Sequence, residues 1–108
     1  MRRKNKYGAV PTIVDGVRFS SKAEARRYGE LKLLEHAGHI KLLELQPRFK
    51  LIVKEVLVCT YVADFQYYDV KKKCDVVEDV KGVIAAHSKI KMKLFSILYP
   101  FYDFRIIK

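Results

Sequence analysis

The chain has 108 residues, half of them apolar or aromatic, and 22 basic against 12 acidic side chains give it a net charge of +10. That length makes a single domain able to bury roughly two thirds of its unfolded surface, and that composition excludes a disordered chain. Apolar runs fall far short of a membrane span, no apolar segment follows the basic Met1-Arg2-Arg3-Lys4-Asn5-Lys6 to make a secretory signal, and Cys59 and Cys74 lack histidines at zinc spacing. An intracellular, reduced protein is expected, with both cysteines as small half-buried side chains rather than a disulfide. Charge of this sign on so small a domain favours a polyanion, and its clustering favours nucleic acid over a membrane.

Residues 1–11 read as a basic flexible arm and residues 12–108 as one domain. Asp15-Gly16 between Ile13-Val14 and Val17-Arg18-Phe19 predicts a short hairpin. Two stubby strands are marginal alone, so they should rest on the body or on a second subunit. Ser21-Lys22-Ala23-Glu24 fits a capping box. The helix it opens should run to about Ala37, with Gly38 as its left-handed stop. Tyr28, Leu31 and Leu34 form its buried stripe, and Glu24 lies one turn ahead on the same stripe, flanked by Lys22, Arg26 and Arg27.

After Gln46-Pro47, residues 48–58 read as a strand with Phe49, Leu51 and Val53 on one face and a turn at Lys54-Glu55. Two further strands follow, Tyr61-Val62-Ala63-Asp64-Phe65 and Val76-Val77-Glu78-Asp79-Val80-Lys81-Gly82. Ser88 is the expected cap of a second helix over residues 89–98. Ile90, Leu94, Ile97 and Leu98 should face inward, with Lys89, Lys91 and Lys93 in water. Residues 101–107 make a last strand. A helical crossover sets it parallel to the Val76-to-Gly82 strand. The predicted order is helix-strand-strand-strand-helix-strand, an α/β sandwich around a mixed sheet.

The chemistry is concentrated in the two middle strands. Alternation places Val77, Asp79 and Lys81 on one face of their strand and Glu78 on the other, where solvent is expected. If Asp69 to Cys74 closes a hairpin around Val70-Lys71-Lys72-Lys73, the register sets Asp64 opposite Asp79. Carboxylates about 5 Å apart repel by a few kcal/mol at an effective dielectric near 20. A shared proton or a bound cation resolves this. A divalent metal is the simplest resolution, and it points to phosphodiester hydrolysis.

Asp64, then Asp79-Val80-Lys81, on neighbouring strands after a helix bearing Glu24, resembles the PD-(D/E)XK nuclease superfamily, whose restriction-endonuclease-like core has this element order. Within it the chain resembles the small phage- and archaeal-type Holliday junction resolvases. Asp15-Gly16-Val17-Arg18-Phe19, Leu45-Gln46-Pro47-Arg48-Phe49, Ala63-Asp64-Phe65 and Glu78-Asp79-Val80-Lys81-Gly82 are similar to a phage-encoded family of that group. Ala63 stands where the superfamily usually has proline, and two acids precede the lysine. Alternation selects Asp79 over Glu78, and a bulge would reverse that choice.

The resemblance implies an endodeoxyribonuclease dependent on Mg²⁺ or Mn²⁺ that resolves four-way DNA junctions by paired nicks, leaving 5′-phosphate and 3′-hydroxyl ends. Forks, flaps or nicked duplex are alternative substrates, and a non-catalytic basic DNA-binding module is the alternative class. Asp64, Asp79 and the Val80 carbonyl would ligate the metal. Glu24 would support a second ion or its waters, or serve only in the capping box. Lys81 would act as base or as electrostatic stabiliser. DNA contacts are expected from Arg2, Arg3, Lys4, Lys22, Arg26, Arg27, Gln46, His87, Ser88, Lys89, Lys91 and Lys93. Paired cuts from single-site chains require a homodimer, and a phage-encoded protein would work in the bacterial cytoplasm.

Overall fold

Asp15 and Gly16 both have positive φ, 52° and 75°, as a two-residue hairpin turn requires. They join β1 (Thr12–Val14) to β2 (Val17–Phe19) in antiparallel register. The structure, a computed structural model, describes residues 10–108, so most of the expected arm lies outside the described residues. The hairpin rests on the body: Phe19 is buried against the rings of Tyr28 and Phe65. The Tyr28 hydroxyl donates to Asp15 at 3.0 Å.

Helix α1 (Lys22–His36) begins where expected, because the Ser21 Oγ accepts the Glu24 N–H at 3.1 Å. It ends at Gly38, whose φ of 82° turns the chain out of the helix. Its buried face is Glu24, Ala25, Tyr28 and Leu31, with Leu34 partly buried beside them.

Between the helices the expected order of three strands is corrected to five. The missed strand is β3 (Ile40–Leu45). A left-handed residue, Leu42 (φ 59°), and a register shift between Lys41 and Glu44 break its alternation. Gln46 (φ 51°) and Pro47 then redirect the chain. The residue 48–58 stretch is two strands, β4 (Arg48–Val53) and the first part of β5 (Val56–Val62), joined at Lys54-Glu55 as expected. Tyr61 and Phe65 do not share a strand. The chain bends at Asp64, so β5 stays with β4 while β6 (Phe65–Asp69) joins another sheet.

That sheet is four-stranded, in order β3-β6-β7-β8, with β7 Cys74–Val80 and β8 Asp103–Ile107. β6 and β7 are antiparallel with Phe65 opposite Glu78 and Asp69 opposite Cys74. β8 runs parallel to β7 through α2 (Ala86–Leu98), as the crossover rule requires. The molecule is thus mixed α/β with a mixed sheet and two helices.

The sheet divides two cores, and adjacent valines of β7 enter opposite ones. Val76 joins Phe19, Tyr28, Leu31, Phe65 and Tyr67 beneath α1. Val77 joins Phe49, Leu51, Tyr61, Ala63, Met92 and Phe95, under α2 and the β4–β5 hairpin. Helix α2 departs from expectation twice. It starts at Ala86, with Ala85 as a cap that offers no side-chain bond, so Ser88 lies in the first turn rather than capping it. Its buried residues are Met92 and Phe95, whereas Ile90 and Ile97 are 70% and 62% exposed. Phe95 is drawn inward by the rings of Phe49, Tyr61 and Phe104, all within 5.6 Å of its centroid. That contact turns Ile90 and Ile97 outward, while Leu94 and Leu98 of the expected stripe stay packed against the same core. Among the described residues no helix is long and apolar enough to cross a membrane.

Candidate active site

Asp64 occupies the bend between β5 and β6. Its backbone continues the β6–β7 ladder by one step, the Asp64 N–H donating to the Glu78 carbonyl at 3.1 Å. This sets Asp64 beside Asp79, as the hairpin register predicts. One carboxylate oxygen of Asp64, Oδ2, accepts the Val80 N–H at 2.6 Å. Burial, then the Asp79 charge, then the Glu24 charge push the Asp64 carboxyl up to about 9. Burial is the largest of these causes, and the two neighbouring acids add to it.

Asp79 is almost wholly buried, at 1% exposure. Its two oxygens have different partners. The Tyr61 hydroxyl donates to Oδ2, and the Lys81 ammonium lies 3.6 Å from Oδ1. Lys81 is partly exposed and reaches Asp79 from the solvent side of the same strand face. Its main chain is fixed by a 2.9 Å bond from the Lys81 N–H to the Ile107 carbonyl of β8. Glu24, 5% exposed, accepts a bond from the Ser20 hydroxyl as well as belonging to the helix cap. Its charge contributes to holding Asp64 protonated, which puts the α1 acid within electrostatic reach of the strand acids.

Asp79 and Lys81 open into a cleft of ≈ 180 Å³ bordered by Tyr61 and by the first turns of α2, where His87, Ser88 and Lys91 face them. Three of the residues assigned to DNA by sequence therefore line the same cleft as the candidate catalytic pair. The others are dispersed. Lys89 and Lys93 lie on the outer face of α2, Lys22 and Arg26 are exposed on α1, and Gln46 is exposed with its N–H donating to the Asp64 carbonyl at 2.9 Å. Arg2, Arg3 and Lys4 lie outside the described residues.

Two expectations are corrected on the opposite face of β7. Glu78 does not meet solvent; it is 0% exposed beneath α1. Arg27 is engaged there rather than free for phosphate. Its Nε and Nη2 bond the two Glu78 oxygens at 2.8 and 2.7 Å, and its Nη1 bonds Glu30 at 3.0 Å. The Glu78 bond raises the Arg27 pKa still further above its usual range. The Tyr67 hydroxyl also donates to Glu78 and accepts from Arg105 at 3.4 Å. Face alternation thus separates the two neighbouring acids without a bulge.

The sequence reads Tyr61 only as the first residue of a strand. It belongs to the site, because its hydroxyl fixes one Asp79 oxygen and leaves the other toward Lys81 and the cleft. The general need of a buried tyrosine hydroxyl for a partner was the available signal; nothing local to Tyr61 named Asp79.

Among the described residues no three acids, histidines or cysteines converge as a preformed metal cluster. The donor set is instead a pair, Asp64 and Asp79. Mg²⁺ is commonly bound by one or two carboxylates, with waters and phosphate oxygens completing its shell. A buried carboxylate pair with a deficit of positive charge fits such an ion.

Residues 4–108 match a family model described as "Protein of unknown function (DUF1064)". No curated protein and no solved structure matches the chain.

Proposed function

The chain belongs to the DUF1064 family, and from the chemistry of its cleft we propose that it is a divalent-metal-dependent endodeoxyribonuclease acting on branched DNA, with four-way junctions as its substrate. The observation that carries this reading is the pairing of Asp64 with Asp79, and of Asp79 with Lys81, where the latter two line one cleft. The helices and the strands of the four-stranded sheet, followed along the chain, run α1, β3, β6, β7, α2, β8. This supports assignment to the restriction-endonuclease-like sandwich, with the β4–β5 hairpin inserted.

Asp64 and Asp79 would hold Mg²⁺ or Mn²⁺, with the Val80 carbonyl as a further oxygen and Glu24 beside them. Such an ion supplies charge stabilisation at the phosphate and a more acidic water. The chain's own residues do the rest. Lys81 stands at the solvent edge of Asp79, where it can stabilise negative charge on the phosphate or take a proton from the attacking water. His87, Ser88 and Lys91 line the other side of the cleft and bind phosphate. The Tyr61 hydroxyl holds Asp79 in one orientation, and Phe95 and Tyr61 keep water from its buried side.

Purified protein incubated with a labelled four-way junction or a matched linear duplex, in Mg²⁺ or in EDTA, tests the reading. The expected result is symmetric metal-dependent nicking of the junction, abolished by Asp64→Asn. Cleavage of forks or flaps alone would move the substrate while keeping the chemistry. Tight junction binding with no cleavage in Mg²⁺ or Mn²⁺ would overturn the catalytic assignment in favour of a DNA-binding module.

A further inference from the structure

The β4–β5 hairpin has two unlike halves. Phe49, Leu51 and Tyr61 at its root are buried against α2. A register shift between Leu51 and Ile52 separates this root from the tip. Beyond the shift the side chains lose their cover: Val56, Leu57 and Val58 are 63%, 54% and 57% exposed, and Ile52 and Val53 are exposed beside them. Lys54 and Glu55, with φ of 49° and 68°, close the tip as a tight two-residue turn. Among the described residues neither β4 nor β5 pairs with any further strand. Unpaired edges bearing contiguous apolar side chains are surfaces for association.

We propose that the distal half of this hairpin, residues 52–58, is where a second copy of the chain docks. The need for two copies rests on the junction-resolving reading, since paired nicks require two sites; the choice of surface rests on the hairpin itself. Two molecules of charge +10 repel, so contact between them favours a surface without surplus positive charge. The hairpin tip meets that condition, because its only charges are Lys54 and Glu55, one of each sign. A two-fold contact can set these against their opposites in the partner. A second apolar patch, exposed Ile90 and Ile97 with half-buried Leu94 on α2, is flanked by Lys89 and Lys93. Apposing two copies of that face would gather like charges, and it suits a polyanion better. The β1–β2 hairpin, expected from the sequence as interface material, already has Phe19 buried within its own subunit.

Light scattering coupled to size exclusion, without DNA, tests this. The wild type should have twice the mass of one 12.6 kDa chain. Leu57→Glu with Val58→Glu should halve that mass while leaving the circular dichroism spectrum unchanged, because both positions are exposed. Lys54→Glu or Glu55→Lys alone should weaken the dimer, and the double exchange should restore it. A monomeric wild type, a dimer indifferent to these substitutions, or a dimer dissociated only by Ile90→Glu with Ile97→Glu would overturn the proposal. A dimer that responds as expected but cuts no DNA would leave the interface standing and remove the nuclease reading.

Discussion

Glu78 and Asp79 are adjacent acids on one strand, both buried, and they sit in opposite electrostatic worlds. Glu78 faces α1, where a guanidinium grips both of its oxygens and Tyr67 donates a further bond. Asp79 faces α2, where it meets another carboxyl, one hydroxyl and an ammonium 3.6 Å away at the solvent edge. The first charge is neutralised within the protein. The second has its counter-charge at the solvent edge, where a group from outside can compete for it. Burial alone does not separate a structural acid from a functional one; the source of its counter-charge does.

The sharpest way to break this contrast is substitution on each side. Asp64→Asn or Asp79→Asn should lower metal-dependent cleavage by about a thousandfold, the scale of losing roughly 4 kcal/mol of charge stabilisation. Their urea-unfolding midpoints in EDTA should be unchanged or raised. Arg27→Ala should do the reverse. It leaves Glu78 buried without its fork and should cost about 3–5 kcal/mol of stability by urea unfolding. At temperatures where the variant remains folded, the metal dependence of cleavage should be preserved. Equal effects from the two sides would end the distinction.

Tyr61→Phe probes the hydroxyl that orients Asp79. It should raise the Mg²⁺ concentration for half-maximal cleavage by about tenfold. It should likewise weaken Mn²⁺ binding measured by calorimetry without DNA, which a purely structural role would not do. A further effect concerns protons. The folded chain holds on Asp64 a proton that the unfolded chain releases near 3.8. The protein therefore binds more protons folded than unfolded across that interval, and metal-free stability should fall as pH rises from 3.8 toward about 9, then level. Denaturant melts in EDTA should show this fall, and Asp64→Asn should flatten it.

Local pairing explains what was legible. The β6–β7 hairpin, its register and the approach of Asp64 to Asp79 follow from alternation across a short turn, and Ser21 and Gly38 bound α1 by their own chemistry. What escaped depends on distant partners. Nothing near Glu78 announces Arg27, which lies 51 residues away. Met92 and Phe95 are selected over Ile90 and Ile97 by rings from β4, β5 and β8. β3 was hidden because the left-handed Leu42 disrupts the period by which a strand is recognised.

The hairpin inserted between β3 and β6 also sets an order of assembly. Pairing those two strands must close residues 46–64 into a loop, whereas β6 and β7 meet across the short turn between Asp69 and Cys74. Loop-closure entropy favours the latter first. The strand pair carrying Glu78 and Asp79 should therefore exist as a wet ribbon, its acids still hydrated, before either helix settles on it. Mutual repulsion is weak at that moment and grows only as α1 and α2 exclude water. Val76→Ala should accordingly slow refolding, while Phe95→Ala should act chiefly on the unfolding rate.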